Sequence, residues 1–146
     1  MQEIGKLIAI SGESSKIAKL AEDLLLDHAV ASANPFNERP LALTAVFEDN
    51  TDEPLGYLEG NSMQGRFYLS RLAILDKARK KGIGAFLLSQ AEQIAHSRGD
   101  AEVILDTWNF QAENFYTKQG YEVIARLPDL PNGSGKVWMK KELTPA

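Results

Sequence analysis

Three basic residues, Arg79, Lys80 and Lys81, stand directly ahead of Gly82, and Gly84 follows after one intervening residue. The apolar run FYLSRLAIL, Phe67 to Leu75, ends just before this turn, and the turn opens into AFLLSQAEQIAHS. A helix N-terminus at this point offers unpaired backbone N–H groups, close backbone approach at the glycines and positive charge together. That combination suits a phosphate or pyrophosphate ligand. The familiar nucleotide loops do not fit. The chain has no G-x-x-x-x-G-K-[ST] run. Gly82-Ile83-Gly84-Ala85-Phe86-Leu87 lacks the third glycine of G-x-G-x-x-G.

The elements that must hold this turn follow from periodicity. Ile4, Leu7, Ile8 and Ile10 suggest a first strand with imperfect alternation, ended by Gly12. Ser14 or Ser15 caps a helix whose apolar positions include Ile17, Leu20, Ala21, Leu24 and Leu25. A loop bounded by Pro35 and Pro40 follows. Leu41 to Glu48, Leu55 to Glu59 and Arg66 to Leu75 read as an antiparallel meander, with a turn over Asn61 to Gly65. The period then changes. Ile83, Phe86, Leu87, Ala91, Ile94 and Ala95 share one helical face, Glu92 and Gln93 face away, and Gly99 closes the helix. Strands are expected at Val103 to Thr107, Tyr121 to Leu127 and Lys136 to Leu143, with a helix over Gln111 to Gln119 ended by Gly120. The expectation is one α/β (α+β) domain over residues 1–146, a mixed sheet of about seven strands flanked by helices, with a βαβ unit at its centre.

Composition removes several classes of function. The absence of cysteine excludes disulfides, thiolate metal sites and cysteine nucleophiles, and two histidines make a histidine-rich metal site an unsuitable reading, so no metal is expected. A net charge of −4 disfavours nucleic acid as the main partner and is compatible with a cationic or amine-bearing one. No apolar run approaches the roughly 20 residues of a membrane helix. The N-terminus lacks the basic start of a secretory signal, so no membrane association and a cytoplasmic location are expected.

Twenty-five residues beyond Gly84 begins a second patterned stretch, Asn109-Phe110-Gln111-Ala112-Glu113-Asn114-Phe115-Tyr116-Thr117-Lys118-Gln119-Gly120-Tyr121. Arg79-x-x-Gly82-x-Gly84 resembles the Q/R-x-x-G-x-G/A acetyl-CoA signature of the GNAT superfamily of N-acetyltransferases. The second stretch matches that family's N-x-x-A-x-x-F-Y-x-K-x-G-F/Y at Asn109, Ala112, Phe115, Tyr116, Lys118, Gly120 and Tyr121. Both stand in the family's order and spacing, and the resemblance extends over nearly the whole chain. Asp129-Leu130-Pro131-Asn132-Gly133 before the last strand is similar to a D-x-P-x-G loop in a subgroup of small bacterial members.

The resemblance implies a three-layer fold and transfer of an acetyl group from acetyl-CoA to a primary amine of a small molecule. It implies that Arg79, Lys80, Lys81, Gly82, Ile83, Gly84 and Ala85 hold the pyrophosphate. Leu72, Ala73 and Ile74 would lie along the pantetheine arm, whose thioester sits where two strands splay, with a backbone N–H stabilising the oxyanion. Asn109 would bond the arm and Phe115 pack beside it. Tyr116 matches the family's general acid toward the leaving thiolate. Taken alone, Tyr116 reads better as a core aromatic at helical spacing from Ala112; the full motif favours the chemical role. The general base is not carried over, because Tyr68 stands where some members have a glutamate. Glu59 is a substitute candidate, or a solvated strand-end carboxylate, and Arg71 is conspicuous in an apolar strand. Protein or peptide amine acetylation, and a non-catalytic CoA-binding or sensing module, stay open as alternatives. A homodimer rests on the resemblance alone. Acceptor specificity is expected from the loops Asn34 to Pro40, Asn61 to Gly65 and Pro128 to Gly135.

Overall fold

A computed structural model describes residues 6–32, 37–108 and 112–143. It divides into two compact units, Met1–Phe36 and Asn37–Ala146. In the first, helix α1 (Ser15–Ala31) begins where the Ile17 N–H donates to Ser14 Oγ at 3.3 Å. That bond satisfies one of the amides a helix start leaves unpaired.

Among the described residues the second unit is built on six strands: β1 (Arg39–Ala45), β2 (Gly56–Met63), β3 (Arg66–Ile74), β4 (Glu102–Trp108), β5 (Glu122–Leu127) and β6 (Lys136–Glu142). The order is β1-β2-β3-β4-β6-β5, parallel between β3 and β4 and antiparallel elsewhere. This corrects the expectation of about seven strands. Residues 6–11 form no strand, and 1–5 lie outside the described residues. The apolar residues there lack the alternation that would present one face to a sheet.

Helix α2 (Ile83–Ser97) crosses over between the parallel strands and packs against β1 to β4. Its Leu87, Leu88, Ala91 and Ala95 close on Leu58, Phe67, Val103, Val137 and Met139, all fully or nearly fully buried. The short helix α3 (Glu113–Lys118) follows β4. Glu92 does not face away as its place on the helix suggested. It accepts from the Tyr121 hydroxyl at 2.8 Å and from Lys141 Nζ at 2.9 Å. A glutamate is long enough to reach round the helix to groups whose burial would otherwise leave them unpaired. Burial, with the neighbouring Glu92 carboxylate, pushes the Tyr121 phenol well above its ordinary range.

Two departures from the expected elements shape the rest. The β2–β3 turn is two residues long. Gln64 and Gly65 both have positive φ, 56° and 80°, the geometry that matches strand twist in a tight hairpin, so Asn61, Ser62 and Met63 belong to β2. The register between β2 and β3 then slips. Glu59 pairs with Arg71 but Gly60 pairs with Leu69, leaving Ser70 unmatched. A bulge of this kind bends its strand and inverts side-chain parity beyond it. Leu69 and Leu72, three apart, thus both turn toward the core. Pairing of β3 with β4 stops at Tyr68–Ile104, so the two parallel strands diverge beyond that point.

Candidate active site

The divergence leaves the β4-facing backbone edge of β3 without a strand partner from Leu69 onward among the described residues. At the same end, a 3-10 turn (Asp76–Ala78) leads into the basic segment. Lys80 and Gly82 adopt positive φ, 63° and 75°. Gly82 occupies the cap position of α2 and brings no side chain to it. The first backbone bond of the helix runs from the Phe86 N–H to the Gly82 carbonyl at 3.0 Å. The amides of Ile83, Gly84 and Ala85 are therefore left without an intrahelical acceptor, pointing out of the positive end of the helix dipole. The Lys80 side chain stays exposed as charge at the rim.

A cavity of about 620 Å³ opens from this turn. The end of β3 supplies Leu72 and Ile74 to its wall. The turn and the first turn of α2 supply Arg79, Lys80, Gly82, Ile83, Gly84 and Ala85. Helix α3 supplies Phe115 and Tyr116. Residues separated by more than forty positions are thus gathered around one space. Gly84 is small for a reason the motif does not show: a Cβ there would stand 3.2 Å from Phe115 Cζ. The glycine lets α3 approach α2 and brings Phe115 and Tyr116 to the cavity.

Other expected residues fall elsewhere. The Ala73 side chain lies on the opposite face of β3, because it alternates with Leu72 and Ile74, and Lys81 does not line the cavity. Asn109 lies outside the described residues. Ala78 and Gln119 line the cavity without having been singled out. Ala78 is nearly fully buried in the 3-10 turn, and neither residue type carries a chemical signal in sequence. Arg79 is exposed and pairs with Asp76 at 3.1 Å. Such an exposed pair contributes little and leaves the guanidinium available.

Tyr116 is 8% exposed, in edge contact with the rings of Phe115 and Tyr121. Its hydroxyl has no hydrogen-bond partner among the described residues, and burial pushes the phenol up to about 12. The group is a neutral donor held against a cavity wall.

The far face of the sheet near the bulge carries a second cluster. Arg71 Nε lies 3.0 Å from Glu59 Oε1, and the Tyr57 hydroxyl donates to Glu59 Oε2 at 2.8 Å. Both carboxylate oxygens are engaged, and the bond to Glu59 pushes the Tyr57 phenol up. Arg71, odd in an apolar strand, is explained by this pair. The Gln64–Gly65 turn, by contrast, joins the start of β3, and Arg39 pairs with Ser62 beside it. That end is about 26 Å from Ile74 at roughly 3.3 Å per strand residue. The Asn61 to Gly65 turn and the Arg39–Pro40 end of the preceding loop therefore lie at the opposite end of the sheet from the point where β3 and β4 diverge. Pro128 to Gly135, leading into Lys136 opposite Trp108, lies at the diverging end.

Splayed parallel strands, an uncapped glycine turn and a cavity reaching a buried tyrosine stand together at one end of the sheet. The family described as Acetyltransferase (GNAT) family matches residues 15–121, and the chain belongs to it. The acetyltransferase Atu2258 of Agrobacterium fabrum is 30% identical over 123 residues, covering 84% of this chain and 88% of that one. Blasticidin-S acetyltransferase of Streptomyces morookaense is 33% identical over 107 residues, covering 72% and 79%. A crystal structure from Agrobacterium tumefaciens described as an acetyltransferase superposes with a TM-score of 0.81 at 27% identity, covering 94% and 99%. The protein is an acyltransferase built on the acetyl-CoA-binding fold of this family. Among the described residues no helix is long and apolar enough to cross a membrane.

Proposed function

We propose that the protein transfers the acetyl group of acetyl-CoA to a primary amine of a small molecule by direct attack on the thioester. The observation that carries this reading is one cavity joining the uncapped start of α2 to Tyr116 across the diverging end of β3. The pyrophosphate rests on the Ile83, Gly84 and Ala85 amides, with Arg79 and Lys80 adding charge at the rim. The pantetheine arm runs along the unpaired edge of β3, taking its main-chain groups as an added strand would, over Leu72 and Ile74. Lys81 lends only long-range charge, and Ala73 contributes backbone alone. A backbone N–H of this segment polarises the thioester carbonyl. The amine nitrogen forms the new C–N bond, the C–S bond breaks, and the proton shed by nitrogen balances the thiolate. Tyr116 supplies the hydrogen bond that steadies the sulfur as it leaves. The blasticidin-S relative supports a small-molecule acceptor.

Calorimetric titration with acetyl-CoA is expected to give a dissociation constant in the micromolar range ordinary for enzymes. The double variant Arg79→Ala, Lys80→Ala is expected to weaken it about tenfold, more at low salt than at high. Absence of binding by the unaltered protein would overturn the donor assignment, and free-thiol release across an amine panel tests turnover.

Glu59 is assigned as the carboxylate that receives the acceptor's ammonium and draws off its proton. Glu59→Gln is then expected to lower kcat/KM about tenfold near pH 7. The defect should shrink as pH approaches the ordinary amine value of about 10, where the free base forms unaided. A defect independent of pH would restrict Glu59 to holding Arg71 and Tyr57.

A further inference from the structure

Beyond Ile104, β4 runs past its last pair with β3, and its side chains alternate. Leu105 and Thr107 turn into the core beneath α2, and Asp106 and Trp108 turn to the opposite face. The antiparallel register sets Trp138 across from Asp106 and Lys136 across from Trp108. The Lys136 ammonium lies 4.9 Å from the Trp108 ring centroid and 5.5 Å from that of Trp138. It is also 3.2 Å from Asp106 Oδ2. Two indole rings and a carboxylate therefore surround one positive charge.

Indole is the strongest aromatic partner for a cation, and paired rings with a carboxylate are the chemistry by which organic cations are recognised. The cage is open: Trp108 is 40% exposed and the Asp106 side chain 45%. Its occupant is replaceable, because a partly exposed lysine–aspartate pair, with side chains 29% and 45% exposed, holds with little net free energy and the lysine stem is flexible. The location matters as much as the composition. The donor cavity lies on the α2 side of the sheet, and the cage lies at the same diverging end on the other face. An acceptor attacking a thioester held between the strands would approach from the face of the sheet opposite the donor cavity. The Glu59 carboxylate shares this face.

We propose that Trp108, Trp138 and Asp106 form the recognition site for a second positive charge on the acceptor, with Lys136 Nζ as its resident stand-in. The inference rests on the proposed transfer to an amine and names its substrate class: a primary amine that also bears an ammonium or guanidinium group. The reacting nitrogen attacks as the free base and loses its proton toward the sulfur. The caged cation takes no part in bond making and fixes the approach. Lys136 swings out when that charge arrives.

Both tryptophans of the chain belong to the cage, so intrinsic fluorescence reports on it alone. The test titrates the full-length protein with α,ω-diamines of three to six carbons and with n-alkylamines of the same lengths, at fixed ionic strength. The best diamine is expected to perturb the fluorescence at a concentration at least tenfold below its monoamine counterpart. Trp108→Leu should remove that difference, and Lys136→Ala should tighten the diamine severalfold by removing its competitor. Equal constants for diamine and monoamine, or weaker diamine binding in Lys136→Ala, would overturn the proposal. The readout needs no turnover. Failure of acetyl-CoA to bind in the separate calorimetric titration would strike the donor assignment and leave this result standing.

Discussion

Replacing Tyr116 by phenylalanine is expected to lower kcat about 100-fold while leaving the acetyl-CoA dissociation constant within about twofold. The argument starts from burial. The phenol is pushed up to about 12, so at neutral pH it is wholly protonated and able only to donate. Full transfer of its proton to a free thiolate of about 8.5 would run uphill by roughly 3.5 units, about 5 kcal/mol. Its effective contribution is therefore a hydrogen bond to sulfur while the C–S bond breaks, with the net proton coming from the acetylated nitrogen. That bond exists in the transition state and not with the bound donor, so its loss should appear in kcat. Stability should be unchanged or slightly higher, since the hydroxyl has no hydrogen-bond partner to lose among the described residues. Turnover of the unaltered enzyme should show no decline from Tyr116 ionisation until pH nears 12. The sign for stability agrees: the contribution is full below about pH 10, where the unfolded phenol is also protonated. It fades as pH rises toward about 12. Stopped-flow or thiol-release assays beside calorimetry check the split. Weakened acetyl-CoA binding with proportionate loss of turnover would make Tyr116 a packing residue.

Gly60→Ala is expected to destabilise the protein by about 3 kcal/mol, lowering the melting temperature by about 10 °C. A Cβ at this position would lie 2.4 Å from Phe67 Cζ and 2.5 Å from the Tyr68 carbonyl oxygen. Phe67 is completely buried and the carbonyl belongs to a paired strand, so neither can give way cheaply. Gly60 also stands beside the register slip that leaves Ser70 unmatched. Forcing β2 and β3 apart there should disturb the bend that separates β3 from β4. Activity is expected to fall by more than unfolding at the assay temperature explains. Denaturant melts by circular dichroism, run beside the thiol-release assay, measure both effects. A loss under 1 kcal/mol would show that the Phe67 ring can move aside.

The donor end was legible because its chemistry is local. Arg79 to Gly84 is one turn, and the groups proposed to hold the anion are amides freed wherever a helix starts without a side-chain cap. Tyr116 needed a second stretch of sequence, but its distance from Ala112 and Gly120 is again set within one helix. The strand boundaries moved by a few residues because strand ends depend on partners. The seventh strand failed because apolar content without alternation does not commit a segment to a sheet.

The face proposed to take the acceptor was not legible, and the reason is register. Glu59 finds Arg71 across a strand pair, Lys136 finds Trp108 across another, and Asp106 sits opposite Trp138. None of these pairs is separated by a helical or strand repeat in sequence. A slip of one residue would send each side chain to the other face. The bulge at Ser70 shows how sharp that dependence is, since it alone turns Leu72 and Ile74 toward the donor cavity and Ala73 away. The sequence by itself determined a basic glycine turn suited to a phosphate-bearing donor at the start of a helix, and placed a tyrosine on a later short helix. The tertiary structure decided where the strands part and which charges face the gap, because those are properties of pairing between distant segments and not of any one of them.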